Sequence, residues 1–79
     1  MTTEMRLPQF GMGMSEAQII QWLKNEGDPV SEGEPLVEIE SEKSTMEVPA
    51  PVSGTLLQIL TAAGETVPVY DVMALIEEA

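Results

Sequence analysis

The sequence predicts an all-β domain, a flattened barrel or two-sheet sandwich assembled from two similar halves. Three observations lead there. Short apolar runs of strand length are separated by Gly- and Pro-containing turns along the whole chain. Residues 37 apart match repeatedly between the two halves. Finally, two strand-like runs near the middle of the 79 residues flank Glu40-Ser41-Glu42-Lys43-Ser44-Thr45, which makes a hairpin with a lysine at or beside its tip.

Taken in order, Glu4 to Leu7 is a short strand ended by Pro8. Gln9 to Ser15 reads as a loop, broken by Gly11 and Gly13. Its Phe10, Met12 and Met14 are unusual for an exposed loop, and two readings stand. Phe10 and Met14 cover one end of the core, or the loop is a polarizable recognition surface. A Met-x-Met copper site lacks supporting His or Cys. Glu16 to Lys24 is a strand rich in Ile and Trp, followed by a turn at Gly27 and Pro29, one apolar step at Val30 and a second turn through Gly33. Pro35 opens the strand Leu36 to Glu40. After the lysine turn, Thr45 to Val48 returns and meets Pro49-Ala50-Pro51, so it closes there or lies at a sheet edge.

The remainder repeats the pattern, with a strand from Thr55 to Leu60, a turn at Gly64, a step at Val67 and a last strand from Asp71 to Glu77. Gln58 falls on Gln21, Leu60 on Leu23, Gly64 on Gly27, Val67 on Val30, Ile76 on Ile39 and Glu77 on Glu40. Leu56/Ile19, Leu57/Ile20 and Ile59/Trp22 agree in type. This is an internal duplication. Two copies related by an approximate two-fold can bury each other's apolar faces, which neither could do alone. Gly27, Gly33, Gly54 and Gly64 are assigned to turns that favour positive φ. Position 80, the counterpart of Lys43, lies beyond the sequence.

Composition narrows the function. The length fits one domain, residues 1–79. Fourteen acids against three bases give a net charge of -11, which argues against nucleic acid and anionic membranes as partners. The acids form a solvated surface, or steer the domain to basic partner faces. No apolar run approaches a membrane span, and the first six residues have neither the basic nor the apolar part of a signal peptide. There is no Cys, which suits a reducing compartment, and no His. The usual general base, thiol nucleophile and soft metal ligands are therefore missing, and chemistry here requires an attached group. Of the three bases, Arg6, Lys24 and Lys43, only Lys43 sits on the tight hairpin turn; Lys24 reads as a solvated strand-end residue.

The pieces Leu7-Pro8-Gln9-Phe10-Gly11-Met12, Trp22-Leu23-Lys24, Gly27-Asp28-Pro29-Val30, Gly33-Glu34-Pro35-Leu36, Ile39-Glu40-Ser41-Glu42-Lys43 and Val48-Pro49-Ala50-Pro51-Val52-Ser53-Gly54 occur in this order. With them the chain resembles the lipoyl domain of the acyltransferase component of 2-oxo acid dehydrogenase complexes, within the biotinyl/lipoyl family. The resemblance covers essentially the whole chain. It implies two four-stranded sheets with internal two-fold pseudosymmetry, and lipoate in amide linkage on Lys43. The family turn is usually Asp-Lys-Ala; here Glu42 keeps the acid and Ser44 the small size, and both would be read by the ligase. The biotin-carrying relatives hold their lysine between two methionines, a signature absent here.

The resemblance further implies that Phe10, Gly11, Met12, Gly13 and Met14 form the loop beside the lysine that helps a decarboxylase choose its domain. The Gly-Met-Gly-Met stretch leans towards the pyruvate, branched-chain or acetoin types. The implied partners are a lipoate ligase or lipoyltransferase, a thiamine-diphosphate-dependent 2-oxo acid decarboxylase, an acyltransferase catalytic domain and a flavin-dependent dihydrolipoamide dehydrogenase. Reductive acylation, acyl transfer to coenzyme A and reoxidation would follow in that order. The domain by itself is then a non-catalytic carrier, free-standing or part of a longer acyltransferase. Its location is the bacterial cytoplasm, or the mitochondrial matrix after removal of a transit segment. The alternative from a different class is an unmodified or biotin-carrying interaction module on the same fold.

Overall fold

A computed structural model of the chain describes residues 1–9, 14–41 and 44–79. Eight strands follow in sequence: β1 (Thr2–Arg6), β2 (Glu16–Trp22), β3 (Pro29–Val30), β4 (Pro35–Glu40), β5 (Thr45–Pro49), β6 (Gly54–Ile59), β7 (Thr66–Pro68) and β8 (Val72–Glu78). They form two antiparallel four-stranded sheets, ordered β1-β8-β6-β3 and β5-β4-β2-β7. The expected strands are all present, with ends shifted by a residue or two. β5 is an edge strand, as its prolines require.

The duplication holds down to single hydrogen bonds. Shifting by 37 turns the β2–β4 pair Ile19↔Ile39 into the β6–β8 pair Leu56↔Ile76, and the β2–β7 pair Ala17↔Val67 into the β6–β3 partners Gly54 and Val30. The Gly27 N–H donates to the Leu56 carbonyl at 2.7 Å, and the Gly64 N–H donates to the Ile19 carbonyl at 2.7 Å. Both glycines carry positive φ, 94° and 93°. The equivalence also reaches β1 and β5, at a different offset of 43. Gly33 N–H donates to Ala50 O at 2.9 Å just as Tyr70 N–H donates to Leu7 O at 2.8 Å. Thr2/Thr45 and Glu4/Glu47 are the sequence signal for this second offset.

Bulges recur in the same way and sort the side chains. The register skips Leu36 in β4 and its mate Met73 in β8. One extra residue lets two neighbours face inwards, so Leu36–Val37 and Met73–Ala74 are all buried. The register also skips Ile20 in β2 and Leu57 in β6, and there the extra residue leaves an apolar side chain outside, 39% and 49% exposed.

The core inherits the symmetry. Its buried residues pair as Met5/Val48, Leu7/Ala50, Ile19/Leu56, Val30/Val67, Leu36/Met73, Val37/Ala74 and Ile39/Ile76. Each fully buried aliphatic side chain contributes about 1.5–3 kcal/mol relative to exposure. The remaining buried residue, Ala17, has Gly54 as its mate. Gly54 has no positive φ. Its role is close approach, because a Cβ there would lie 2.0 Å from the Glu77 carbonyl oxygen. The turn role expected for Gly54 is thus corrected, while Gly27, Gly33 and Gly64 have the positive φ expected of them.

Candidate functional site: the lysine end

The turn between β4 and β5 follows the last rung of their ladder. Glu40 and Thr45 are the last residue pair of the ladder, and beyond them the Ser41 N–H donates to the Ser44 carbonyl at 2.9 Å. The sequence places Glu42 and Lys43 between these two serines. Both lie outside the described residues. Ser44 is exposed, as are Glu40 and Thr45. One step inside, Met46 packs half-buried on the core opposite the buried Ile39. The register of the hairpin is therefore set by its core side and its closing hydrogen bond together.

Strand register brings two further segments to this end. Gln18 pairs with Glu40, so the start of β2 extends beyond the end of β4. Glu16 pairs with Pro68, which brings the β7–β8 turn alongside. Leu7, at the end of β1, exchanges backbone hydrogen bonds with this turn, accepting from Tyr70 at 2.8 Å and donating to Asp71 at 3.0 Å. The described residues on either side of the β1–β2 connection, Leu7 to Gln9 and Met14 to Glu16, thus come to this end. The connection's Phe10, Gly11, Met12 and Gly13 lie outside the described residues. Met14 is half-buried against the core, which fits the covering role read for it. The Gln9 side-chain amide donates to the Met14 carbonyl at 3.1 Å.

The Lys24 ammonium lies 3.1 Å from a Glu34 carboxylate oxygen, with both side chains about a third exposed or less. The solvated role expected for Lys24 is therefore corrected. Glu34 also accepts from the Ser31 N–H at 3.0 Å. That hydrogen bond first, and Lys24 next, hold the Glu34 carboxyl below its ordinary value of 4.5. Glu40 and Glu47 are exposed, in keeping with a solvated acidic surface. Glu38 faces Glu47 directly across the strands and accepts from Gln21 at 2.9 Å.

Tyr70 is the residue that sequence reasoning missed. It occupies φ 74°, where its mate Gly33 has 88°. Its one legible signal is that the 37-residue offset places a tyrosine on a turn glycine.

Residues 3–76 match the model of the biotin/lipoyl family, whose description reads "Biotin-requiring enzyme". The chain belongs to the biotinyl/lipoyl family. This biotinyl/lipoyl domain is 44% identical over 77 residues to the dihydrolipoyllysine-residue succinyltransferase component of the 2-oxoglutarate dehydrogenase complex of Bartonella vinsonii subsp. berkhoffii, covering 98% of this chain and 19% of that protein. It is 42% identical, again over 98% of its length, to the dihydrolipoyllysine-residue acetyltransferase component of the pyruvate dehydrogenase complex of Corynebacterium glutamicum, of which it covers 11%. It therefore spans between a tenth and a fifth of these relatives. The lipoyl domain of the 2-oxoglutarate dehydrogenase complex of Azotobacter vinelandii superposes with TM-score 0.75 at 28% identity, over 96% of this chain and 98% of that one. The urea carboxylase of Kluyveromyces lactis contains a similar fold, with TM-score 0.82 and 25% identity over 98% of this chain and 6% of that one. Among the described residues of the biotinyl/lipoyl domain, no helix is long and apolar enough to cross a membrane.

Proposed function

We propose that this domain is a covalent lipoate carrier with Lys43 as its attachment residue, serving a 2-oxo acid dehydrogenase complex. The observation that carries the reading is the β4–β5 hairpin, closed between Ser41 and Ser44 over the two residues Glu42 and Lys43. Amide formation needs an accessible primary amine. The only other lysine, Lys24, is held by Glu34, and the described residues flanking the turn, Ser44 and Thr45, are exposed. The donor set thus fits lipoate. When bound, lipoate supplies a disulfide that accepts electrons and carries an acyl group.

The protein's part is position. Met46 and Ile39 fasten the hairpin to the core, so the root of the arm stays fixed while a long side chain sweeps. A fixed root with a flexible arm raises the effective concentration of the carried group at each successive active site. Glu42 and Ser44 are the residues a lipoate ligase or lipoyltransferase would read. The net charge of -11 steers the domain to basic faces of its partners. Those partners are a thiamine-diphosphate-dependent decarboxylase, an acyltransferase catalytic domain and a flavin-dependent dihydrolipoamide dehydrogenase. The bacterial relatives support a cytoplasmic setting.

Coexpression with a lipoate ligase and lipoate, followed by intact mass, tests the reading. One lipoyl increment is expected in the parent chain and none in Lys43→Arg. A biotinyl increment, or none in the parent chain, would sink it.

A further inference from the structure

Tyr70 is a bulky residue in a backbone conformation that favours glycine, and its symmetry mate is in fact glycine. The fold therefore accepts glycine at this turn. The tyrosine does not serve the core, because it is 60% exposed. Residues held at such dihedrals persist where something else uses them, and the hydrogen bonds of Tyr70 show what that is.

Every polar group of Tyr70 is spent on the stem of the β1–β2 connection. Its N–H donates to Leu7 O at 2.8 Å, and its carbonyl accepts from Arg6 Nη1 at 2.8 Å. Its hydroxyl donates to Gln9 Oε1 at 3.3 Å, while the other end of the same amide donates to Met14 O at 3.1 Å. Next door, Val69 N–H donates to Ser15 O at 2.9 Å. Tyr70 and Gln9 thus tie the two feet of the connection, Gln9 and Met14, to each other and to the β7–β8 turn.

The opposite end supplies the control. Eight residues separate Leu7 from Glu16, but only two separate their mates Ala50 and Ser53, so the connection at the lysine end is six residues longer. At the short connection the mate of Tyr70 is Gly33, which provides the backbone hydrogen bond to Ala50 and has no side chain to give. The strained tyrosine stands only where there is a long connection to hold.

We infer that Tyr70 is a positioning residue, which orders Gln9 and Met14 on either side of the β1–β2 connection and presents its exposed ring on the surface a decarboxylase reads, at the end of the domain where β4 ends. The inference rests on the carrier reading for its decarboxylase arm and on the structure alone for its anchoring arm.

Three lipoylated proteins test it: the parent chain, Tyr70→Gly and Tyr70→Phe. In Tyr70→Gly the melting temperature holds or rises and lipoylation by the ligase is unchanged. The kcat/KM for decarboxylase-driven reductive acylation falls about fivefold to tenfold, mostly through KM, as ordering of a loop foot passes into the binding step. Tyr70→Phe keeps the ring and falls less. In ¹⁵N relaxation, Gln9, Met14 and Ser15 become more mobile in both variants, most in Tyr70→Gly. Acylation of Tyr70→Gly at the parent rate would overturn the decarboxylase role. A fall in acylation matched by a fall in melting temperature would reduce Tyr70 to a fold residue and overturn it equally. If the parent chain takes no lipoate or no acyl group, the carrier reading fails, and the relaxation experiment decides the anchor by itself: unchanged Gln9 and Met14 would refute it.

Discussion

The two ends of this molecule are built from the same hydrogen bonds and put to different use. At the lysine end, the Ser41 N–H donates to the Ser44 carbonyl across a continuous turn. At the other end, the Glu78 N–H donates to the Met1 carbonyl at 2.8 Å, and 37 and 43 residues relate the two pairs. Met1 and Glu78 thus stand where Ser44 and Ser41 stand at the lysine end. The lysine end also carries the longer inter-sheet connection and the strained Tyr70; the terminal end carries a short connection, Gly33 and the close approach at Gly54. Symmetry supplies the same frame to both ends, and each end departs from it in its own way.

Substitutions at paired positions break or sharpen this contrast. The largest expected effect is functional: Lys43→Arg abolishes lipoylation seen by mass, while stability measured in urea stays within about 0.5 kcal/mol, the usual range for a surface change. The next is structural and belongs to the other end. Gly54→Ala forces a Cβ against the Glu77 carbonyl in the central β6–β8 ladder and costs about 3 kcal/mol in chemical denaturation. Its mate Ala17 already holds a buried Cβ, so a stable Gly54→Ala would erase this difference between the ends. Smaller again is the turn pair. Gly33→Ala loses about 1 kcal/mol, because φ is 88° there although space is open, whereas Tyr70→Gly gains a similar amount.

The smallest effect is at the Lys24–Glu34 pair. The folded Glu34 carboxyl binds its proton less readily than in the unfolded chain, so its contribution is complete above the ordinary value of 4.5 and is lost as pH falls through the lower folded value. Glu34→Gln should flatten stability against pH below 4.5 and leave the neutral plateau almost unchanged. A steepened acid limb would contradict it. The symmetry mates are Thr61 and Asp71, so this ion pair has no twin.

Much of the frame was legible in the sequence because strand period, turn glycines and the 37-residue repeat all report local geometry. The lysine turn was legible for the same reason: two flanking strands and a short polar gap define a hairpin. Other features depend on what the fold brings together. Lys24 meets an acid ten residues away on a different turn, and nothing in either segment announces it. Gly54 looks like any turn glycine, yet its constraint comes from β8, which passes 2.0 Å from where a Cβ would sit. Tyr70 reads as an ordinary aromatic until its backbone is compared with that of Gly33. The offset of 43 was hidden because the long β1–β2 connection put the first strand out of phase with the rest of the repeat.

The Glu78–Met1 hydrogen bond has a topological consequence. The same kind of hydrogen bond closes the β4–β5 turn, so in an excised domain a short linker from Ala79 to Met1 would close residues 1–79 into a ring with eight uninterrupted strands. Such a ring could be reopened at the β5–β6 connection, giving a circular permutant whose new termini emerge at the pole opposite the Glu40–Thr45 rung. On the carrier reading, a tether engineered at that pole would leave the β4–β5 turn clear.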